Sequence, residues 1–100
     1  MLVIASEPIE PKALTPAQTC TFERTEVWIG RPPWADFHLD GDRISRRAIR
    51  VLVIDGRLLL EDQSENGSFI NGVHGWGTRP IYEGDDIRIG PYRVTVRIPT

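Results

Sequence analysis

Hydrophobic and polar residues alternate over short runs along this chain, and none of the runs keeps the 3.6-residue period of an amphipathic helix. In the clearest run, Tyr92–Ile98, every second side chain from Tyr92 onward is expected to face the core. Turn signals such as Asp55-Gly56 and Asn71-Gly72 separate most of the runs. The pattern predicts strands over Leu2–Ala5, Thr19–Arg24, Glu26–Ile29, Phe37–Leu39, Ile49–Ile54, Arg57–Glu61, Ser68–Ile70, Ile87–Ile89 and Tyr92–Ile98.

Many short strands with turn residues between them are typical of an all-β fold, and we expect a two-sheet β-sandwich of roughly eleven short strands. A chain of 100 residues is the size of one domain. Residues 1–24 contain an N-terminal strand, a Pro-rich loop and a second strand, which are expected to form part of the sandwich. Residues 25–98 are expected to form its core.

Composition narrows the classes of function. The chain is 40% hydrophobic and 26% charged with a net charge of −2, so it lacks the basic surplus that nucleic-acid binding usually requires. No apolar run is long enough to cross a membrane, so no membrane insertion is expected. The single Cys20 cannot form an internal disulfide and favours a reducing compartment. We therefore expect a cytoplasmic location.

The residues required for most enzyme chemistry are missing. One cysteine and two histidines, His38 and His74, do not form a familiar metal-binding pattern, so neither a metal nor a cofactor is expected. There is no Gly-rich loop followed by Lys-Ser/Thr, so a P-loop is excluded. Adjacent Asp85 and Asp86 would point to opposite faces of a strand and more readily belong to a turn. The chain is therefore not expected to be an enzyme.

The polar residues that remain lie in predicted loops. Of the 12 basic side chains, all but Lys12 are arginine, whose planar guanidinium matches phosphate oxygens in pairs. If the loops meet at one end of a sandwich, they bring guanidinium, hydroxyl and amide donors together. Such a set predicts a phosphate site, formed by Arg31, Arg43, Ser45, Arg46 and Asn66.

Six short motifs, in order, resemble the forkhead-associated (FHA) domain over roughly residues 25–98. They are Gly30-Arg31, Asp36–Leu39, Ile44-Ser45-Arg46, Asp62–Ser68 (Asp-x-Ser-x-Asn-Gly-Ser), Asn71-Gly72 and Gly84–Gly90. The resemblance implies a β-sandwich that binds phosphothreonine peptides with the loops at one end.

The resemblance also implies a role for individual residues. Arg31 and Ser45 match the family's phosphate contacts, and Arg46 matches a position that often adds a third. Asn66 matches the residue that holds the peptide backbone. Arg43 lies where some members read the third residue after the phosphothreonine, and an Arg there favours an acidic ligand residue. The positions expected to support the binding loops are Gly30, Gly67, Ser68 and Asn71.

Two residues depart from the family pattern. Ala48 stands where the family has a histidine that braces the binding loops. Glu65, expected with Asn66 and Arg43 among the peptide-binding positions, stands next to Asn66, close to where a phosphate would lie. Two hypotheses therefore remain: a phosphothreonine reader, or an FHA-fold scaffold that docks a protein partner without phosphate. For the first, the resemblance implies a partner that a Ser/Thr kinase phosphorylates, in bacterial signalling or secretion-system regulation, and a chain that belongs to a longer protein or a larger complex.

The tryptophans and two smaller residues give further expectations. Trp28 lies in a predicted strand and is expected in the core. Trp34 follows Pro32-Pro33, and two positions stay open for it: folded back over the sandwich or flanking the peptide site. Trp76, between two glycines, is expected to fold back over the sandwich rather than to grip a partner. His38 is expected at the surface, and Cys20 in the interior.

Overall fold

The computed structural model describes residues 1–41, 44 and 49–99. Within these residues the chain forms eleven strands in two sheets and no helix, so the predicted all-β sandwich is confirmed. In chain order the strands are β1 (Leu2–Pro8), β2 (Gln18–Phe22), β3 (Glu26–Gly30), β4 (Phe37–His38), β5 (Ile49–Ile54), β6 (Arg57–Asp62), β7 (Ser68–Ile70), β8 (Val73–Gly75), β9 (Gly77–Ile81), β10 (Ile87–Ile89) and β11 (Tyr92–Arg97).

The first sheet has the order β2-β1-β11-β10-β7-β8, and its assigned strand pairs are antiparallel. The second sheet has the order β4-β3-β5-β6-β9, with β4 parallel to β3. Trp76 is the residue between β8 and β9, so the chain passes from the first sheet to the second there. The connection couples the two sheets beside the end of β6.

The core lies between the sheets and is formed by alternate residues of their inner faces. Tyr92, Val94 and Val96 are almost fully buried, as the alternation in β11 predicts, and Ile98 packs against them at the margin. The largest fully buried side chains include those of Leu2, Ile4, Ile29, Phe37 and Leu60. Since Leu2 and Ile4 belong to β1, the N-terminal strand contributes directly to the core.

The sequence did not predict β8 and β9 as strands. Both contain glycine, β9 also contains Pro80, and most of their residues are exposed, so neither has a regular apolar alternation. Backbone pairing with β7 and β6 holds them in place instead. Exposed strands without a buried stripe carry little signal in a hydrophobic pattern.

The placement of Trp28 in the core is wrong. Its neighbours Val27 and Ile29 are fully buried, and alternation along β3 therefore puts Trp28 on the outer face. There its ring packs edge-on against Trp34, with the centroids 5.6 Å apart, and the Arg50 guanidinium lies 5.0 Å from its centroid. Cys20 is half-buried against the core margin.

Candidate functional site

Three loops that carry the predicted site residues leave the second sheet at one end. Ile29 of β3 pairs with Ile49 of β5, which pairs with Asp62 of β6, so the three strands reach this end in one row. We call this end of the sandwich the loop end. Its first loop comprises residues 31–36, its second begins at residue 39 after β4, and its third comprises residues 63–67.

Arg31 follows directly on the buried Gly30, the last residue of β3, and is itself half-buried. The carbonyl oxygen of Gly30 accepts a hydrogen bond from the Leu39 amide at 3.0 Å, which fixes the beginning of the second loop against β3. The exposed His38 contributes Nε2 at 2.9 Å from the Arg31 carbonyl oxygen. A carbonyl oxygen accepts only, so this nitrogen carries the proton. The pocket beside Arg31 has a volume of about 460 Å³ and is lined by Arg31, Pro32, Pro33 and Trp34.

The second loop carries Arg43, Ser45 and Arg46, which lie outside the described residues, as does Ala48. Ile44, in the middle of this segment, is buried in the core with 3% of its surface exposed. The Ile44 amide donates to the Gly41 carbonyl oxygen at 3.2 Å. Ile44 therefore attaches the second loop to the core at the position between Arg43, predicted to read the peptide, and Ser45, predicted to bind the phosphate.

The start of the second loop is held by the N-terminal Pro-rich loop. The Tyr92 hydroxyl donates a short hydrogen bond to the Asp40 carbonyl oxygen and accepts one from the Thr15 amide at 2.8 Å. The Thr15 hydroxyl in turn accepts from the Asp40 amide at 2.9 Å. Residues far apart in sequence therefore form one closed set of hydrogen bonds beneath the loop end.

The third loop contains Asn66 in a tight turn. The Asp62 carboxylate, at the end of β6 and almost fully buried, accepts from the Ser64 amide at 2.8 Å. The Ser64 hydroxyl accepts from the Gly67 amide at 3.0 Å. These bonds hold the inner side of the turn and leave both Glu65 and Asn66 exposed at its tip.

Arg79 of β9 fastens this turn to the second sheet. One guanidinium nitrogen donates to the Ser68 carbonyl oxygen at 3.1 Å, and another donates a short hydrogen bond to the Ser68 hydroxyl. The same guanidinium lies 3.6 Å from the Asp62 carboxylate. Ser68 is 1% exposed and takes part in this network from the position expected to support the loop.

A histidine holds the outer side of the same turn. His74 of β8 has Nε2 2.7 Å from the Asn66 carbonyl oxygen, and its ring lies against Phe69 and Trp76. Trp76 is 52% exposed and lies outside the core, so the expectation that it folds back over the sandwich is wrong.

Asn71 lies at the opposite end of β7 from Asn66. Its side-chain amide donates to the Asp85 carboxylate at 3.0 Å, and its side-chain oxygen accepts from the Asp86 amide at 2.9 Å. With Gly72 it forms a two-residue turn in which both residues have positive φ, 49° and 83°. These hydrogen bonds support the loop between β9 and β10, away from the loop end.

The first loop is also held on the outer face of β3. The Asp36 carboxylate accepts from the Trp28 amide at 3.0 Å and from the Arg24 guanidinium at 2.8 Å. The backbone hydrogen bond, assisted by Arg24, lowers the pKa of Asp36 below its usual value. Trp34, which is 60% exposed, packs edge-on against Trp28 on this outer face.

Several residues of this framework were not predicted from the sequence. The contacts of Thr15, Arg79 and Tyr92 span large separations and leave no local signal. The position of His74, in contrast, has a local sequence signal. The Asn71-Gly72 turn closes a two-residue hairpin that pairs Phe69 with His74. Extending that hairpin would have predicted β8 and the position of this histidine.

The family is decided by a match to a family model. The model of the FHA domain matches residues 27–90, which is most of the chain. The chain belongs to the FHA family. FHA domains are binding modules rather than enzymes.

Individual relatives agree with this assignment. The serine/threonine-protein kinase RAD53 of Saccharomyces cerevisiae is 39% identical over 70 residues, which is 65% of this chain and 8% of that kinase's length. The FhaA FHA domain, solved in complex with the intracellular domain of Rv3910, superposes with a TM-score of 0.78 at 24% identity, covering 97% of this chain and 100% of that one. EmbR of Mycobacterium tuberculosis, solved with a low-affinity phosphopeptide, gives 0.77 at 21% identity, covering 96% of this chain and 24% of that one.

The described part of the chain offers neither a metal site nor a membrane-spanning helix. Its residues include no group of three or more His, Cys, Asp or Glu side chains arranged to hold a metal ion. They also include no helix of the length and apolarity needed to span a membrane.

Proposed function

We propose that this FHA domain binds a phosphothreonine-containing segment of a partner protein at its loop end. Arg31, Ser45 and Arg46 bind the phosphate, and Asn66 binds the peptide backbone next to it. Arg43 favours an acidic residue three positions after the phosphothreonine. The observation that supports this best is the pairing of Ile29 with Ile49 and of Ile49 with Asp62. The ends of β3 and β6 next to these loops therefore lie within about 10 Å of each other, across two strand spacings, with the start of β5 between them.

The chemistry of phosphothreonine suits this set of donors. The group carries about −1.5 to −2 charges at neutral pH and offers three acceptor oxygens. Charge-assisted hydrogen bonds contribute about 1.5–3 kcal/mol each. Three or four of them, less the cost of ordering the peptide, correspond to micromolar affinity, or about −8 kcal/mol.

Acid should weaken this binding. The phosphate has a second pKa of about 6, and the dianion makes the stronger bonds, so binding lowers that pKa in the complex. The contribution of the second charge is therefore complete above pH 6 and is lost as pH falls below it. We expect the dissociation constant to rise several-fold between pH 7.5 and pH 5.5. An unchanged constant would mean that the second charge contributes nothing.

Glu65 is compatible with the reader function. A carboxylate about 5 Å from a phosphate would cost about 3–6 kcal/mol at a low effective dielectric, but about 1 kcal/mol in water. Glu65 is exposed at the tip of its turn, which supports the smaller cost. The alternative, a scaffold that docks a partner without phosphate, is favoured by Ala48 in place of the family's bracing histidine.

The partner class follows from the ligand. A phosphothreonine ligand requires a Ser/Thr kinase to produce it, so we propose that the partner is a kinase substrate. EmbR, of similar fold, was solved with a phosphopeptide, and FhaA with the intracellular domain of another protein. By analogy, and with the near absence of lysine, we propose bacterial signalling or secretion-system regulation, inside a longer chain or a larger complex.

Calorimetric titration tests the proposal. A degenerate phosphothreonine peptide pool would be compared with phosphoserine and unphosphorylated pools at pH 7.5, using wild type, Arg31→Ala and Arg57→Ala. Arg57 is an exposed arginine at the opposite end of β6 and serves as the matched control. We expect heat with the phosphothreonine pool, lost in Arg31→Ala and kept in Arg57→Ala. No heat from folded wild type with any pool would favour the scaffold.

A further inference from the structure

The His74 ring lies in the middle of an aromatic stack on the surface of β7 and β8. Phe69 is paired with His74 across the hairpin, and their rings are stacked with centroids 4.6 Å apart and planes at 26°. The Trp76 ring also lies against it, with the centroids 4.5 Å apart and the planes tilted by 59°. With two aromatic neighbours, the ring has a defined orientation although it is exposed.

This orientation directs Nε2 of His74 at the Asn66 carbonyl oxygen, 2.7 Å away. Because a carbonyl oxygen only accepts, Nε2 is the donor, and this atom carries a proton in one neutral tautomer and in the imidazolium alike. The hydrogen bond is therefore available in either charge state of the ring.

Gly67 shows how closely the turn packs against the stack. A Cβ atom at Gly67 would lie 2.8 Å from Nε2 of His74, 2.8 Å from the Gly75 carbonyl oxygen and 3.0 Å from the Trp76 ring. Its φ of +72° is also one that glycine adopts most easily. The turn is therefore seated directly on the aromatic stack, while Ser64 holds it from inside.

We propose that His74 is a positioning residue that fixes the Asn66–Gly67 turn in its ligand-ready conformation. It supplies this support from β8. The consequence for peptide binding rests on the function proposed above. With the Asn66 backbone already held, less conformational freedom is lost when the Asn66 side chain engages a peptide. His74 itself need not touch the ligand.

The first test uses the ligand-free protein and measures hydrogen exchange of the Gly67 amide, which donates to Ser64. We expect exchange about tenfold faster in His74→Ala, because the turn loses its outer contact. His74→Gln retains a donor and should stay near wild type. Val73→Ala changes an exposed residue of the same strand and serves as the control. Unchanged protection in folded His74→Ala would overturn the proposal.

The second test adds the phosphothreonine peptide pool and a double-mutant cycle. We expect His74→Ala to weaken apparent binding about tenfold, the effect of one lost hydrogen bond. If His74 acts through Asn66, the double variant Asn66→Ala/His74→Ala binds no more weakly than Asn66→Ala alone. A further tenfold loss in the double variant would overturn the proposal.

The two tests separate this inference from the function on which it rests. If wild type binds no phosphopeptide but Gly67 protection still falls in His74→Ala, the phosphothreonine function fails and the positioning of the turn stands. If wild type binds and His74→Ala changes neither measurement, the function stands and the positioning role fails.

Discussion

Gly67 joins the exposed tip of the third loop to the body of the protein. Its amide donates to Ser64 on one side, and its Cα faces His74 and Gly75 on the other. A single hydrogen atom in place of a side chain makes this close approach possible. Other glycines of the chain, such as Gly56, also have a positive φ but have no atom near the place of a side chain. The cost of the backbone conformation and the cost of the steric contact can therefore be measured separately.

We expect Gly67→Ala to destabilise the fold by about 2–4 kcal/mol. About 1–2 kcal/mol comes from the left-handed backbone and the rest from contact with the Gly75 backbone. Gly56 has a similar φ of +74°, and no atom lies within 4 Å of the place that a methyl group would take there, so Gly56→Ala should cost only the backbone part. Urea unfolding of both variants measures the difference. Equal losses would mean that the crowding contributes nothing.

Among the strands and loops, the closed hydrogen-bond set around Tyr92 joins three segments that lie far apart in sequence. It joins β11, the N-terminal Pro-rich loop and the start of the second loop through one phenolic oxygen. The Pro-rich loop has no regular structure between β1 and β2, yet it contributes to the framework beneath the predicted phosphate site.

Tyr92→Phe should lower the free energy of unfolding by about 1–3 kcal/mol, because the Asp40 carbonyl and the Thr15 amide each lose a partner. Tyr82, which is 69% exposed, provides the matched variant, and Tyr82→Phe should change stability by less than about 0.5 kcal/mol. Chemical denaturation of the two variants makes the comparison. A Tyr92→Phe variant as stable as wild type would show that this oxygen contributes no net stability.

Asp36 fastens the first loop to β3 and makes part of the stability depend on pH. Its pKa is lowered by the Trp28 amide and by Arg24, so the charged form stabilises the folded state. This contribution is present above the ordinary aspartate pKa of about 3.9 and is lost as pH falls through the folded value. We expect wild type to exceed Asp36→Asn by about 1 kcal/mol at pH 7 and by much less at pH 3. Urea unfolding of both proteins at pH 7 and pH 3 measures this difference. An equal difference in stability at the two pH values would contradict the role of the Asp36 charge.

The sequence predicted a strand well where every second residue is apolar and buried, or where a turn dipeptide such as Asp-Gly marks its end. Strand β5 was predicted with its observed bounds, and Asp55-Gly56 correctly marks the turn that follows it. Strands β8 and β9 have mostly exposed residues and were missed. The loops that carry Arg31 and Asn66 were found by motif. The Tyr92 hydroxyl and the Arg79 guanidinium, which hold the second and third loops, act across contacts that only the folded chain reveals.

For the whole molecule, the N-terminal strand matters more than the extent of the family match indicates. The match begins at residue 27, yet β1 lies between β2 and β11 in the first sheet. Its residues Leu2 and Ile4 have no exposed surface. Burying such side chains contributes about 1.5–3 kcal/mol each, a large part of the 5–15 kcal/mol that typically stabilises a domain.

A chain of residues 25–100 should therefore fail to fold, although it keeps every residue of the family match. We expect it to lack the dispersed amide spectrum of a folded sheet protein. The 100-residue chain with Ile4→Ala should remain folded but lose about 2–4 kcal/mol in the free energy of unfolding, which measures part of the contribution of β1. A dispersed spectrum from residues 25–100 would show that residues 1–24 are an accessory to the sandwich.

The pairing of Val3 with Arg97 brings the beginning of β1 and the end of β11 side by side, at the opposite end of the sandwich from the three loops. Their Cα atoms lie about 5 Å apart in an antiparallel pair. A bead, sensor surface or fused protein attached through either strand would thus leave the loops turned toward solution. The same proximity allows a short linker to join the two strands, so that the chain could be circularly permuted and reopened at the Asp55-Gly56 turn without disturbing the loop end.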